Sequence, residues 1–304
     1  MNRRAGGLVL LALLLAGCGS ARPRPSHGGG VAGSGAEERR GGFVDDISRP
    51  QGSRYRDGSD SVPPPIDVSR IPEPVPKVEP RSLYGNKSPY TVLGQTYRVL
   101  PSARGYDERG IASFYGAKFH GYKTSSLEDY DMYAISAAHK TLPLPSYARV
   151  TNLANGKSVI VRINDRGPFH ENRLIDLSYA AAVKIGVWPK GTGLVEVRAI
   201  DPAHPEDSAV PAAELDAQAA VPQGGARPAI YLQVGAFADL ANADRVAQQL
   251  RSARLAPVQV IDAQINGRSV RRVRIGPLGD VERADQVTAQ IERLGLPRPQ
   301  VAVD

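Results

Sequence analysis

Two long segments of this 304-residue chain lack the apolar residues that a folded core requires. Residues 19–80 are rich in Gly, Ser, Arg and Pro, and the seven prolines of 62–80 favour extended polyproline conformations. Residues 202–227 form a second such segment, rich in Ala and Pro. The composition therefore predicts a disordered tether over 18–80, a folded domain over 81–201, a linker over 202–227 and a second folded domain over 228–304.

The first eighteen residues have the pattern of an export signal. Two arginines precede an apolar run over 8–16, which is too short to span a bilayer because a span needs about 20 residues. The run ends in Leu15-Ala16-Gly17-Cys18, which resembles a bacterial lipobox. The resemblance implies that 1–17 are a signal peptide and that Cys18 is lipidated. Since glycine rather than aspartate follows Cys18, it further implies an outer-membrane anchor facing the periplasm. An ordinary export signal with an incidental cysteine is the alternative.

The charge and the cysteine count limit the partners of the chain. A net charge of +7 fits a nucleic acid, an anionic membrane surface or an acidic polymer such as a cell wall. Because the chain carries an export signal, we expect no nucleic-acid partner. The single cysteine excludes an intramolecular disulfide, and the sequence has neither a Cys/His metal spacing nor a glycine-rich phosphate loop. We therefore expect no metal and no cofactor.

The first folded domain has many short, turn-bounded strands and one small helix. Asn155-Gly156 is a strong hairpin signal, and Ser178 is a plausible cap for a helix over 177–185. This pattern predicts a compact, mainly β barrel. The predicted strands are 110–115, 133–137, 148–152, 158–164 and 194–200.

The second folded domain has the order βαββαβ, which predicts one four-stranded sheet with two helices on one face. Strand alternation turns apolar residues such as Leu232 towards the helices. The outward face would then carry four polar side chains, and such a face is either a binding platform or a merely solvated surface. These residues are Tyr231, Gln233, Arg272 and Arg274.

One stretch of the first domain places a carboxylate where a strand must end. Residues 159–163 are mostly β-branched and apolar, whereas Gly167 and Pro168 predict a turn. Asp165 lies at the junction, and a rigid strand end is a common way to hold a catalytic group still. A capped turn with a surface ion pair is the alternative interpretation.

The ordered motifs around Asp165 resemble the rare lipoprotein A family over about residues 85–200. The C-terminal domain is similar to a sporulation-related repeat (SPOR) domain. The segments that carry the resemblance are Gly-Ile-Ala-Ser-Phe-Tyr-Gly at 110–116, Glu128 with Ala-Ala-His-Lys-Thr-Leu-Pro at 137–143, Asn-Asp-Arg-Gly-Pro-Phe at 164–169, Gln-Val-Gly-Ala-Phe at 233–237 and Arg-Val-Arg-Ile-Gly-Pro at 272–277.

The resemblance implies a double-psi β-barrel that acts as a lytic transglycosylase on peptidoglycan, preferring glycan strands without stem peptides. It implies a SPOR domain that binds these denuded strands and directs the protein to the division septum, where division proteins would be further partners. Carried over by position, Glu128 and Asp165 are the two key acids and His139 is a third active-site residue. Gln233 and Arg272 match residues implicated in glycan binding.

A transglycosylase needs one carboxyl group that serves first as acid and then as base, with a second group stabilising positive charge. We favour Asp165 as the acid/base with Glu128 assisting, although the reverse assignment stays open. Because an acid must hold its proton near neutrality, we expect Arg162 and Arg166 to point away from both. His139 either hydrogen-bonds an acid or sugar, or is a buried structural histidine.

One departure from the family pattern concerns the loop before Glu128. The family commonly has Asn-Gly at the two positions where this chain has Ser126 and Leu127. The difference keeps a non-catalytic, expansin-like glycan-binding lipoprotein as an alternative function. An inverting glycoside hydrolase on the same barrel is the other alternative.

Overall fold

The computed structural model describes both folded domains, which belong to one compact unit within residues 43–304. The predicted signal peptide, Cys18 and most of the two predicted linkers lie outside the described residues. None of the helices in the described part of the chain is long and apolar enough to cross a membrane. The described residues are 61, 63, 66–170, 172–204, 228–265 and 267–303.

The first domain is a closed barrel of six strands. The strands lie around the barrel in the order β3-β7-β4-β6-β5-β8, and β8 closes it by pairing with β3. Two neighbouring pairs, β3 with β7 and β4 with β6, are parallel and the other four are antiparallel. The predicted double-psi barrel is confirmed. The strands are β3 (Asp107–Tyr115), β4 (Ser136–His139), β5 (Ser146–Asn152), β6 (Ser158–Asp165), β7 (Arg173–Ser178) and β8 (Gly193–Ile200), and a hairpin of β1 (Tyr90–Val92) and β2 (Gln95–Tyr97) precedes them.

Strand β6 shows how the barrel separates its core from its outer face. Val159, Val161 and Ile163 alternate along the strand and are at most 1% exposed, because they fill the barrel interior. The residue between the last two, Arg162, therefore projects outwards. The strand that builds the core thus also presents polar side chains on the outside.

Strand β7 and the short helix α1 (Tyr179–Ile185) differ from the predicted helix over 177–185. Ser178 is the N-cap as predicted, since its hydroxyl accepts a hydrogen bond from the Ala181 amide at 3.3 Å. The residues before the cap form a strand, because Ile175 and Leu177 alternate into the core. This strand was not predicted, and it brings Asp176 to the outer face of the barrel.

Residues 66–82, here called the strap, lie along the barrel without forming a helix or strand. Ile66, Val68 and Ile71 pack against the barrel core, and a Glu73 carboxylate oxygen accepts from the Ile160 amide at 2.8 Å. The structure thus attaches residues 66–80, which belong to the predicted tether of 18–80, to the barrel. The prolines hold this segment extended, and spaced apolar and acidic side chains attach it to the barrel surface.

The second domain is a single antiparallel sheet of four strands, as predicted, and the structure places the strands in the order β10-β11-β9-β12. Leu232, Val273 and Ile275 are fully buried in its core, which also contains residues of the helices, including Val287 and Leu250. Asp239 and Asp280 cap the two helices through their carboxylates. The elements are β9 (Ile230–Phe237), α2 (Leu240–Ala253), β10 (Val258–Ile265), β11 (Arg268–Leu278), α3 (Val281–Arg293) and β12 (Gln300–Val303).

The two domains touch at the α3 side of the second domain. Ile111 of the barrel joins the apolar core cluster of the second domain. The Asn172 side-chain amide donates to Asp285 at 2.8 Å and to the Thr288 hydroxyl at 3.0 Å.

Candidate active site

Asp165 stands at the end of β6 and is held by three hydrogen-bond donors. Its Oδ1 accepts from the Ser125 amide at 2.7 Å, from the Ser125 hydroxyl at 2.6 Å and from the Arg166 amide at 2.7 Å. The residue is only partly buried. One oxygen is thus anchored by the loop at 124–128, and the carboxyl group occupies a defined position.

The turn after Asp165 requires glycine. Gly167 has φ of 145°, a conformation that side-chain-bearing residues rarely adopt. A Cβ atom there would lie 3.7 Å from the Ala138 Cβ and 4.0 Å from Oδ2 of Asp176. In the sheet register, Ala138 pairs with Asp165 on one side and with Asp176 on the other. Two small residues, Gly167 and Ala138, therefore lie between the carboxyl-bearing residues Asp165 and Asp176.

Asp176 is the site residue that the sequence did not single out. The Ser113 hydroxyl donates a hydrogen bond to its Oδ1. Burial raises the pKa of Asp176, and the nearby Asp165 charge adds to the rise. The sequence pattern that indicates Asp176 is Ile175-Asp176-Leu177, in which an acid alternates with two core residues. This pattern places Asp176 on the outer face only if the segment is a strand, and the segment was not predicted to be one.

Glu128 is paired with Arg162, contrary to expectation. Arg162 donates from Nη1 to Oε2 at 2.6 Å and from Nη2 to Oε1 at 3.0 Å, while Asn164 Nδ2 donates to Oε2 at 2.8 Å. Burial raises the pKa of Glu128, but these hydrogen bonds outweigh burial and hold it below its usual value. The prediction that Arg162 points away is wrong, because Arg162 and Asn164 share the outer face of β6 with Glu128.

The loop before Glu128, which has Ser126 and Leu127 where the family commonly has Asn-Gly, still forms a turn. Leu127 has φ of 66°, the left-handed conformation that glycine adopts most readily. The Ser126 hydroxyl donates to the Asn164 carbonyl at 2.8 Å and so ties the loop to β6. A glycine suits position 127 for a backbone reason, and Leu127 adopts the same geometry at an energetic cost.

Arg166 is a buried anchor. Only 9% exposed, it donates to the carbonyl oxygens of Gly85 at 2.7 Å and of His139 at 3.0 Å, and also to that of Leu142. Burial lowers its pKa to about 10. Its side chain thereby joins the turn after Asp165 to two other segments of the domain.

His139 lies beneath this anchor and is 2% exposed. Its Nδ1 is within 3.2 Å of the Thr141 amide and 3.0 Å of the Leu142 amide, so Nδ1 accepts and the ring proton is on Nε2, 2.9 Å from the Tyr106 hydroxyl. Burial lowers its pKa to about 3, and the ring is neutral. The histidine shapes the loop at 139–142, whose carbonyl groups bind Arg166.

The outer face of the second domain carries the four predicted residues Tyr231, Gln233, Arg272 and Arg274, all half-buried. Arg274 pairs with Gln233 across β11 and β9, and Arg272 pairs with the exposed Ala236. The Nε of Arg272 is buried and finds no hydrogen-bond partner among the described residues. A ligand acceptor at this face would satisfy that donor.

Comparisons with known proteins match the two domains separately and together. A family profile described as "Lytic transglycolase" matches residues 107–199, and a SPOR domain profile matches 226–301. The structure also aligns with the crystal structure of the RlpA SPOR domain from Pseudomonas aeruginosa, at 32% identity and a TM-score of 0.24, over 24% of this chain and 96% of that one.

Individual relatives match either nearly the whole chain or about half of it. A protein of Pseudomonas aeruginosa strain UCBPP-PA14, called "Endolytic peptidoglycan transglycosylase RlpA", is 39% identical over 96% of this chain and 94% of its own length. A Vibrio cholerae protein of the same name is 53% identical over 49% of this chain and 57% of its own length. The chain belongs to the rare lipoprotein A (RlpA) family.

Proposed function

We propose that this chain is a lytic transglycosylase that cleaves the glycan strands of peptidoglycan and leaves 1,6-anhydro-N-acetylmuramic acid ends. The observation that carries the proposal is that hydrogen bonds link the two segments that contain the acids Asp165 and Glu128. Asp165 accepts from Ser125 of the loop at 124–128, and Glu128 of that loop accepts from Asn164, the neighbour of Asp165. Two acids of unequal environment on one open face suit glycosidic cleavage.

The carboxyl groups divide the chemistry between them. We infer that Asp165 and Asp176, which pair with opposite sides of Ala138 in the sheet register, share one proton, because burial and the charge of Asp165 raise the pKa of Asp176. Asp165 donates this proton to the leaving glycosidic oxygen. The C6 hydroxyl of the same N-acetylmuramic acid then attacks the anomeric carbon, and Asp165 accepts the hydroxyl proton. The carboxyl group thus ends protonated, as it began.

Glu128 acts in this scheme as a carboxylate. Its hydrogen bonds from Arg162 and Asn164 favour the ionised form, which stabilises the positive charge that develops on the sugar ring. His139 is a positioning residue, since its buried neutral ring shapes the loop that holds Arg166. These environments support the assignment of the acid/base role to Asp165 rather than to Glu128.

The second domain and the predicted export signal support a proposal about where in the cell envelope the protein acts. We propose that Tyr231, Gln233, Arg272 and Arg274 bind denuded glycan strands and concentrate the enzyme at the division septum. A lipid on Cys18 would hold the chain at the outer membrane, facing the periplasm. The half-buried polar face and the buried Arg272 Nε support the binding role.

The activity test uses the purified full chain with denuded glycan strands and mass spectrometry of the products. Anhydro ends, lighter by one water than reducing ends, are expected. Reducing ends would indicate a hydrolase, and strands that are bound but never cut would indicate a glycan-binding protein; either result overturns the proposal.

Replacement of Asp165 tests the assignment of the acid/base. Asp165→Asn should lower cleavage by about 10²–10⁴-fold, the usual contribution of a general acid, and leave strand binding by the SPOR domain intact. Cleavage at the wild-type rate in this variant would contradict the assignment.

A further inference from the structure

Arg162 binds a second carboxylate that comes from outside the barrel. Glu79 of the strap accepts from Arg162 Nε at 3.0 Å and from Nη2 at 3.0 Å, on the edge of the guanidinium that Glu128 leaves open. The Tyr147 hydroxyl also donates to Glu79. The Arg162 and Glu79 side chains are only 22% and 19% exposed, so solvent screens their interaction partially.

The guanidinium group of Arg162 therefore binds two carboxylates, those of Glu79 and Glu128. Its Nη2 lies 3.0 Å from an oxygen of Glu79 and 3.0 Å from an oxygen of Glu128. Four of its hydrogen bonds, two to each carboxylate, fix its plane and hence the direction in which Glu128 is held. Two negative charges share one positive charge, so Arg162 neutralises Glu128 only in part.

The strap has a second attachment that does not involve Arg162. Glu73 accepts from the Ile160 amide at 2.8 Å and lies 3.2 Å from Lys184 Nζ, which also donates to the Ile71 carbonyl at 3.2 Å. Glu73 and Glu79 thus attach the same strap to the same strand, but only Glu79 reaches the arginine that holds Glu128.

We propose that Glu79 is a positioning residue of the active site, acting through Arg162 on the orientation and charge of Glu128. The inference rests on the proposed catalytic role of Glu128. The strap is then a part of the catalytic unit, although it precedes the barrel in sequence and lies outside it in space.

Removing the Glu79 charge has two physical consequences. Arg162 loses the two hydrogen bonds that fix one edge of its plane, so Glu128 is held less accurately. The whole positive charge of Arg162 then acts on Glu128, which lowers the pKa of Glu128 further. Activity that requires ionised Glu128 would consequently persist to lower pH.

The test compares Glu79→Gln with the matched control Glu73→Gln in the full chain, following the formation of anhydro ends between pH 4 and 8. Glu79→Gln should lower kcat by about tenfold, with KM within about twofold, because a catalytic group is misplaced. The acidic limb of the pH–activity profile of Glu79→Gln should move to lower pH by about half a pH unit or more. Glu73→Gln should keep the wild-type profile.

Each result has a defined meaning. Equal pH profiles for Glu79→Gln and Glu73→Gln would overturn the inference. If Glu79→Gln does not fold, the test uses Glu79→Asp with Glu73→Asp as its control. Aspartate keeps the negative charge, but its shorter side chain does not reach the hydrogen-bond partners of the glutamate. A kcat loss specific to Glu79→Asp supports the inference and equal kcat values overturn it.

A further variant separates this inference from the proposed function. Glu128→Gln should be inactive. If it is active, the proposed role of Glu128 fails; if it is inactive while Glu79→Gln matches its control, only the inference about the strap fails.

Discussion

Two arginines four residues apart on the same segment have opposite tasks in this protein. Arg162 lies on the outer face of β6 and binds carboxylates, whereas Arg166 follows the strand end and binds backbone carbonyl groups. The difference sets the charge of the site. Glu128 is kept ionised by Arg162, while Asp176 has its pKa raised by burial. Individual environments therefore shift the pKa values of these two carboxyl groups in opposite directions.

Replacing Asp176 tests the shared proton. In Asp176→Asn, the remaining acid binds its proton less tightly because the neighbouring negative charge is gone. We expect the alkaline limb of the pH profile to move to lower pH and cleavage at pH 7 to fall by about tenfold or more. Since asparagine imitates the neutral carboxyl group, the thermal unfolding midpoint should change little. An unchanged alkaline limb would show that Asp176 does not share the proton.

His139 makes stability depend on pH. Its pKa is lowered to about 3 in the folded protein, so the unfolded chain, with an ordinary histidine, binds more protons below about pH 6.5. The free energy of unfolding should fall by about 2 kcal/mol between pH 7 and pH 5, measured by urea denaturation. His139→Asn, which keeps an acceptor for the two amides, should lose this part of the dependence. An identical pH dependence in both proteins would contradict the assignment.

At the scale of elements, one strand and one loop assemble the site. Strand β6 directs Val161 and Ile163 into the core and Arg162 outwards, and it ends at Asp165. The loop at 124–128 closes over it through Ser125 and Glu128. Because a packed strand is rigid, Asp165 is held by core packing as well as by hydrogen bonds, whereas Glu128 is held by hydrogen bonds from side chains of that strand.

The backbone of that loop provides a stability test. Leu127 adopts a left-handed conformation that costs a non-glycine residue about 1–2 kcal/mol. Leu127→Gly removes this cost but increases the entropy of the unfolded chain, so a net gain of about 0.5–1 kcal/mol is expected. The midpoint of thermal unfolding should rise by about 2 °C. A lower midpoint would mean that the Leu127 side chain contributes more through packing than its backbone costs.

At the scale of the molecule, the barrel is incomplete without the strap. Ile66, Val68 and Ile71 extend the barrel core, and Glu73 and Glu79 attach the strap to β6. We therefore expect the catalytic domain to begin near residue 66 rather than at residue 81.

Two soluble fragments test this boundary. The fragment 81–304 should be less stable than 61–304 by about 3 kcal/mol or more, since it loses three partly buried apolar side chains. It should also show weaker cleavage, because Arg162 loses Glu79. Urea denaturation and the rate of anhydro-end formation measure the two effects. Equal stability of the fragments would show that the strap contacts contribute nothing to folding.

Local pattern was sufficient for much of this architecture. Short, turn-bounded segments identified five of the six barrel strands. Alternation sorted the sheet of the second domain into a core face and a polar face, because side-chain direction along a strand has a period of two. It failed for β7, where Ile175 and Leu177 lie next to a helix and their alternation merges with the helical pattern. Strand composition also could not reveal the strap, whose contacts are made with residues about 80 positions later.

The sequence by itself determined the barrel and sheet classes and the candidate acids Asp165 and Glu128. Only the tertiary structure decided which groups surround those acids. Asp176 comes beside Asp165, and Glu79 comes to the arginine of Glu128, through strand pairing and chain wrapping between distant segments. Protonation depends on distances of a few ångströms to such neighbours, and these distances are properties of the fold rather than of any local pattern.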